Sequence, residues 1–168
     1  MNNGVEVQAL QNLAQKIQSP GENSILPMQA HVKWAGGLKH DIKIRNFDPI
    51  LADEPQFLGG TDVGANPVEF ILGALGSCMG IVYVMKATAK GVTIESLEIT
   101  VEGSLDLKVL LGLKEGRRGL SEVKVIFNVK SSAPQEVLNE IYQEVVSESP
   151  VGSTLVNNVS IAAKINKL

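Results

Sequence analysis

The feature that most constrains this chain is an apolar segment at residues 70–85, preceded by a strong helix-start signal. The segment is 16 residues long and contains glycines at positions 73, 76 and 80. Before it, Asn66 supplies a cap residue, Pro67 occupies the first helical position and Glu69 places a carboxylate at the third. A transmembrane helix needs roughly 20 apolar residues. The pattern therefore predicts a buried helix over residues 67–90, ended by Gly91.

The sequence on both sides of this helix alternates apolar and polar residues, which is typical of β-strands. Residues 28–47 predict a hairpin that turns at Gly36-Gly37, and two long strands are predicted at 93–107 and 120–130, joined by the stretch 112–119. Further predictions are an amphipathic helix at 5–18, a long ordered loop at 48–66, a helix at 133–148 and a last strand at 156–165. The expected fold is α+β, with element order α, ββ, α, ββ, α, β. We expect an N-terminal helical arm at 1–27 and one domain at 28–168.

Composition and charge exclude some classes of function and partner. The chain of 168 residues has a net charge of −3, with Lys and Arg scattered, so it has no basic stripe for nucleic acid. The first residues contain neither a basic region nor an apolar core of a signal peptide. We therefore expect a cytoplasmic protein with no nucleic-acid or membrane partner, and the sequence indicates no cofactor.

Cys78 is the only cysteine, so no disulfide can form within one chain. Two interpretations remain open from its position in the apolar helix: a small buried hydrophobic residue, or a thiolate nucleophile. Glu69 lies nine residues earlier, and about 100° per residue makes that step about two and a half turns. Glu69 and Cys78 are therefore expected on opposite faces of the helix, and Glu69 is expected to complete the capping box.

Other candidate chemistry is weak. The only histidines, His31 and His40, form no metal-ligand pattern with one cysteine, so no metal site is expected. The adjacent Asp53 and Glu54 point apart in an extended loop, and we expect them to anchor or cap that loop. The glycines at 59, 60 and 64 lack the order of a phosphate-binding loop and are expected to form turns.

Several motifs in register resemble the OsmC/Ohr family, named for osmotically inducible protein C and organic hydroperoxide resistance. They are residues 34–37, 53–55, 58–60, 66–69, 74–78 and 149–155. The resemblance covers residues 28–168. It implies antiparallel sheets wrapped around a long central helix, an intertwined homodimer, and active sites at the subunit interface.

The resemblance also implies a peroxidase mechanism. A peroxidatic cysteine on the central helix is supported by an arginine from the first hairpin and a glutamate at the helix start, and a second cysteine resolves the sulfenic acid. Cys78 matches the peroxidatic position. The resolving cysteine is replaced by Ser149, and His40, with Lys39 beside it, stands at the position of the arginine.

The helix start also departs from the family pattern. The family glutamate falls on Val68, while Glu69 follows it as possible support. Val68 and Pro150 are expected to line the pocket, and Val68 makes it more apolar. Histidine is mostly neutral at pH 7, so it stabilises a thiolate less than arginine does.

These replacements leave two main readings of function. One is a thiol-dependent reductase of organic hydroperoxides in the oxidative stress response, using Cys78 and an external thiol reductant. The other is a non-catalytic protein that binds an apolar small molecule in an interface pocket lined by Cys78. A third, weaker reading is an interaction module that recruits a partner through its N-terminal helix.

Overall fold

A computed structural model describes residues 2–167. The chain forms two compact units. One contains the N-terminal residues up to Val7 together with the chain from Ala74 onward, and the other contains Gln8–Gly73. The predicted boundary between an arm at 1–27 and a domain at 28–168 stays a prediction.

The unit at Gln8–Gly73 contains nearly all of one helix and a three-stranded antiparallel sheet. Helix α1 spans Val7–Ile17, and strands β1 (Ala30–Trp34), β2 (His40–Ile44) and β3 (Ile50–Ala52) lie in the order β1-β2-β3. The predicted helix and hairpin are confirmed. Gly36 and Gly37 both have positive φ, which is why the turn between β1 and β2 uses glycine.

The prediction that residues 48–66 form only a loop was wrong. They contain β3, which pairs with β2, and a short 3-10 helix at Gln56–Leu58. The abundance of Pro, Asp and Gly hid a three-residue strand, because so short a strand has too few residues to show alternation.

The loop after β3 is closed by the buried carboxylate of Asp53. Its Oδ2 accepts hydrogen bonds from the Thr61 hydroxyl at 2.6 Å, the Thr61 N–H at 2.9 Å and the Val63 N–H at 3.4 Å. The Thr61 hydroxyl bond, reinforced by the backbone N–H groups, lowers the pKa of Asp53 to about 2. A Cβ at position 60 would lie 1.7 Å from the Glu54 carbonyl oxygen, so only glycine fits there. The expected anchoring role of Asp53 therefore has a structural basis.

The unit from Ala74 onward is built on helix α2, which spans Pro67–Ala89 and begins in the other unit. Strands β4 (Ser96–Gly103) and β5 (Val123–Lys130) pair antiparallel, and helix α4 spans Gln135–Glu148. The core includes a stripe on α2 with a spacing of four residues and two residues of α4. These are Leu75, Met79, Tyr83, Ala87, Ile141 and Val145. Spacing of four places residues on one face of a helix, so α2 contributes one stripe to this core.

Two glycines bring α2 close to strand β4. A Cβ at Gly76 would lie 2.9 Å from Val101 Cγ2, and one at Gly80 would lie 3.2 Å from Ile99 Cδ1. The glycines in the apolar segment thus have a packing role, since larger side chains would force the helix away from the sheet.

Helix α2 is long and apolar enough to cross a membrane, judged by length and composition alone. Its packing favours a core helix. Lys86 bonds Glu148 at 2.7 Å and Glu144 at 3.3 Å, and Lys90 bonds Glu144 at 3.0 Å, so charged side chains connect α2 to α4. Only 17% of its most apolar stretch of 18 residues is buried, so the predicted burial of this helix does not extend to the face opposite the stripe, which is uncovered.

Asn2 and Asn3 form hydrogen bonds to residues just beyond the end of α2. Asn3 Nδ2 donates to the Val92 carbonyl at 2.8 Å, and its Oδ1 accepts from the Ile94 N–H at 2.8 Å. Asn2 also donates to Val92, at 3.2 Å. The side chain of Asn3 thereby bonds backbone groups just beyond the end of α2.

The connection between β4 and β5 differs from its prediction. Strand β4 ends at Gly103, and Leu107, predicted as the last strand residue, begins a short helix α3 at Leu107–Leu110. Asp106 causes the change because its side chain caps that helix by accepting from the Lys108 N–H at 2.9 Å.

The predicted last strand at 156–165 was wrong, and so was the final β in the expected order of elements. Helix α5 spans Pro150–Val156, and the described residues after it, up to 167, form neither helix nor strand. Ser149 was interpreted as the end of α4, but it also caps α5, whose first residue is Pro150. The alternating Val159, Ile161 and Ile165 are exposed and have no strand beside them among the described residues.

We predict that Asp53→Asn destabilises the protein at neutral pH more than in acid. Because the folded state lowers the pKa of Asp53 to about 2, the ionised carboxylate stabilises the fold above its usual pKa of 3.8, and this contribution is lost as the pH falls toward 2. Urea unfolding of the variant and of wild type at about pH 6 and about pH 2 measures the difference. Asp62→Asn, at an exposed position on the same loop, is the control. A difference between Asp53→Asn and wild type that does not shrink in acid would contradict this assignment.

Candidate functional site

Cys78 lies on α2 between two buried side chains of the core stripe. Leu75 and Met79 are 4% and 7% exposed, whereas Cys78 is only partly buried and its thiol is free. The cysteine is therefore on the flank of the packed face, and it is neither a fully buried core residue nor a freely exposed one.

The partner of Cys78 is Ser149, at the junction of α4 and α5. The Ser149 hydroxyl donates to Cys78 Sγ at 3.3 Å, and Ser149 is fully buried. The Gly152 N–H donates to Ser149 Oγ at 3.1 Å. Because Ser149 Oγ accepts from the backbone, its proton is free to point at the sulfur. The structure thus brings together the two residues that match the peroxidatic and resolving positions.

The local sequence explains why Ser149 is held so firmly. It is the N-cap of α5, so its side chain is oriented by the first turn of that helix. A Cβ on Gly152 would lie 3.2 Å from Ser149 Cβ and 3.5 Å from Met79 Cε. The absence of a side chain at position 152 therefore lets α5 pack closely against the helix that bears the cysteine.

The other sequence-predicted residues have separate positions. Glu69 Oε2 accepts from the Asn66 N–H at 2.8 Å and Asn66 Oδ1 accepts from the Val68 and Glu69 N–H groups at 2.9 Å, which confirms the capping box.

Lys39 and His40 lie at the β1–β2 turn and the start of β2, in the unit at Gln8–Gly73. Their predicted support of Cys78 stays a prediction, as does the pocket role of Val68 and Pro150.

Metal ligation has no cluster to support it in the described part of the chain. Within residues 2–167, no group of three or more His, Cys, Asp or Glu side chains is placed to hold a metal ion.

Sequence reasoning missed a cavity of about 540 Å³ between α2, β5, α4 and α5. Leu75 and Met79 line it from α2, Gly152 and Ser153 from α5, and Arg117 from the β4–β5 connection. The signal that could have found Arg117 is the Gly116-Arg117-Arg118-Gly119 sequence, which holds two of the three arginines in the chain.

Comparison with models of known protein families identifies the family to which this chain belongs. The model of the OsmC-like protein family matches residues 59–164, which is more than half of the chain. The chain belongs to the OsmC-like family. No curated protein matches it.

Solved OsmC-like structures share the fold. An OsmC-like protein from Mycoplasma pneumoniae has 22% identity and a TM-score of 0.68, covering 78% of this chain and 88% of its own. The organic hydroperoxide resistance protein OsmC from Legionella pneumophila has 15% identity and a TM-score of 0.59, covering 79% and 91%. An organic hydroperoxide resistance protein from Elizabethkingia anophelis, solved with thiocyanate bound, has 16% identity and a TM-score of 0.63, covering 82% and 93%. The α+β fold with antiparallel sheets and a long helix is thus confirmed.

We predict that Ser149→Cys restores a disulfide to this OsmC-like chain. Ser149 Oγ is already 3.3 Å from Cys78 Sγ, so small side-chain rotations would bring two sulfurs to the bond length of about 2.0 Å. Peptide mass mapping of the oxidised variant without reduction should show Cys78 linked to the cysteine introduced at position 149.

Ser147→Cys is the matched control for this experiment. It adds a thiol two residues away, but the Ser147 hydroxyl bonds the Glu144 carbonyl rather than Cys78. A disulfide in the control and none in Ser149→Cys would contradict the geometry described above.

Proposed function

We propose that this chain is a thiol-dependent reductase of organic hydroperoxides that acts in the oxidative stress response. Cys78 is the nucleophile and an external thiol is the reductant. The family membership and the two related organic hydroperoxide resistance proteins support a redox or stress role. The observation that carries the proposal is the hydrogen bond from the buried Ser149 hydroxyl to Cys78 Sγ.

The proposed reaction begins at the Cys78 sulfur. The thiolate attacks one oxygen of the hydroperoxide, the O–O bond breaks, and the alkoxide takes a proton and leaves as an alcohol. Cys78 becomes a sulfenic acid, oxidised by two electrons. Cys78 therefore gives up an electron pair, which a reductant must restore.

Recovery requires two external thiols, because Ser149 has no sulfur to contribute. The first thiol attacks the sulfenic sulfur, releases water and forms a mixed disulfide with Cys78. The second attacks that mixed disulfide and regenerates the Cys78 thiol, leaving the reductant as a disulfide. One hydroperoxide and two thiols thus become an alcohol, water and one disulfide.

Ser149 has a positioning role in this proposal. Its hydroxyl donates to Sγ at 3.3 Å, and a hydrogen bond to a charged group is stronger than one to a neutral group, so the bond orients the sulfur and stabilises its charge during the attack. Lys39 and His40, on the hairpin, are proposed to support the reaction. Glu69 bonds the helix start, so we assign it to the cap instead.

We predict that purified protein consumes cumene hydroperoxide in the presence of dithiothreitol and that Cys78→Ser falls to the rate of buffer alone. Ser149→Ala should retain the thiol but react about tenfold more slowly, because a hydrogen bond to a charged group contributes about 1.5–3 kcal/mol. The rate of peroxide loss is measured for all three proteins. Equal rates for wild type and Cys78→Ser would show that Cys78 does not catalyse the reaction.

A homodimer is the second part of the proposal. The β1–β2 face of the sheet carries Val32 and Trp34, which are 56% and 67% exposed. The uncovered face of α2 carries Ile81, which is 59% exposed. Apolar faces of this kind mark interaction sites, and a second copy of the chain would cover them. The catalytic site is proposed to form where the two chains meet.

We predict that light scattering gives about twice the chain mass of 17.9 kDa. The single tryptophan, Trp34, should shift its emission to shorter wavelength as concentration rises, because association buries its ring. Trp34→Lys should dissociate the dimer, whereas Lys33→Gln, on the opposite face of β1, should leave it intact. A wild-type monomer at high concentration would refute the proposed dimer.

The rival proposal is a non-catalytic protein that binds an apolar small molecule beside Cys78. Val68 favours it, because a valine where the family pattern has a glutamate makes the pocket at Cys78 more apolar. Consumption of peroxide that depends on Cys78 separates the two. A cytoplasmic location is also proposed, because a free thiol and a thiol reductant both suit a reducing compartment.

A further inference from the structure

The cavity beside α2 is a second candidate site, next to the Cys78–Ser149 pair. Its floor and walls are apolar side chains from α2, β5, α4 and α5 and from the β4–β5 connection. They include Leu75, Met79, Leu120, Val123, Val125 and Val146. Cys78 is not among the described residues that line it. The cavity therefore offers room for an apolar group beside the reacting sulfur rather than in contact with it.

The polar groups come from the β4–β5 connection, from the last turn of α4 and from α5. Arg117 contributes a guanidinium, Ser121, Ser147 and Ser153 contribute hydroxyls, and Glu122 contributes a carboxylate. Among the described residues that line the cavity, Arg117 alone carries a permanent positive charge. A guanidinium presents a fork of N–H donors that matches a carboxylate.

We propose that this cavity binds an aliphatic monocarboxylate, with its chain against the apolar walls and its head on Arg117. The volume of about 540 Å³ lies within the range of small-molecule pockets. All the lining residues belong to the unit from Ala74 onward, so the site is complete within that unit. Glu122 repels a second negative charge, which restricts the head group to a single one.

The test measures the binding of octanoate to the whole chain by calorimetry. Saturable binding is expected, and Arg117→Gln should weaken it at least about tenfold, since a charge-assisted bidentate pair is lost. Arg117 is exposed on a loop, so this variant should fold normally. Octylamine, of the same chain length and opposite charge, should bind more weakly than octanoate, and Glu122→Gln should tighten octanoate binding.

A second variant tests the apolar part of the site. Val146 lines the cavity from α4 and is 46% exposed, so Val146→Trp should obstruct part of the cavity without disturbing the core and should weaken binding. The proposal is overturned if octanoate fails to saturate, if Arg117→Gln binds as tightly as wild type, or if octylamine binds as well as octanoate. Because the readout is binding, these outcomes leave peroxide reduction by Cys78 to be judged separately.

Discussion

The packing of one face of α2 against the β4–β5 sheet fixes the positions of the candidate functional residues. Leu75, Met79, Tyr83 and Ala87 form the packed stripe, and Gly76 and Gly80 allow the helix to approach β4. Large buried aliphatic and aromatic side chains contribute about 1.5–3 kcal/mol each, so this stripe is a main source of stability in its unit. Cys78 lies beside the stripe and is therefore held on a rigid helix rather than on a loop.

The same packing explains why a serine can be held next to the cysteine. Helix α4 packs on α2 through Ile141 and Val145, and Ser149 follows within about one turn. The cap of α5 then orients the Ser149 hydroxyl, and Gly152 completes the close contact. Ser149, which the family resemblance assigns to the position of a resolving thiol, supplies a hydrogen bond to Cys78.

Sequence reasoning predicted the elements that carry strong local signals. The capping box of Asn66 and Glu69, the α2 helix and the alternating β4 and β5 strands were found because each depends on nearby residues. Helix α5 and strand β3 were missed because both are short and their sequences also fit loops or strands. The Cys78–Ser149 contact joins residues 71 positions apart, so only the family resemblance could indicate it from sequence. No resemblance indicated the cavity beside α2. It could not be predicted from local sequence, because it forms only when four elements come together.

The central claim is that Cys78 itself takes an oxygen from an organic hydroperoxide. The most direct measurement is the mass of the reduced protein after one equivalent of cumene hydroperoxide in the absence of any thiol. The account predicts the addition of one oxygen atom, located at Cys78 by peptide mapping and removed by dithiothreitol, with release of one equivalent of cumyl alcohol. An unmodified Cys78, or oxygen found only on methionine, would contradict it.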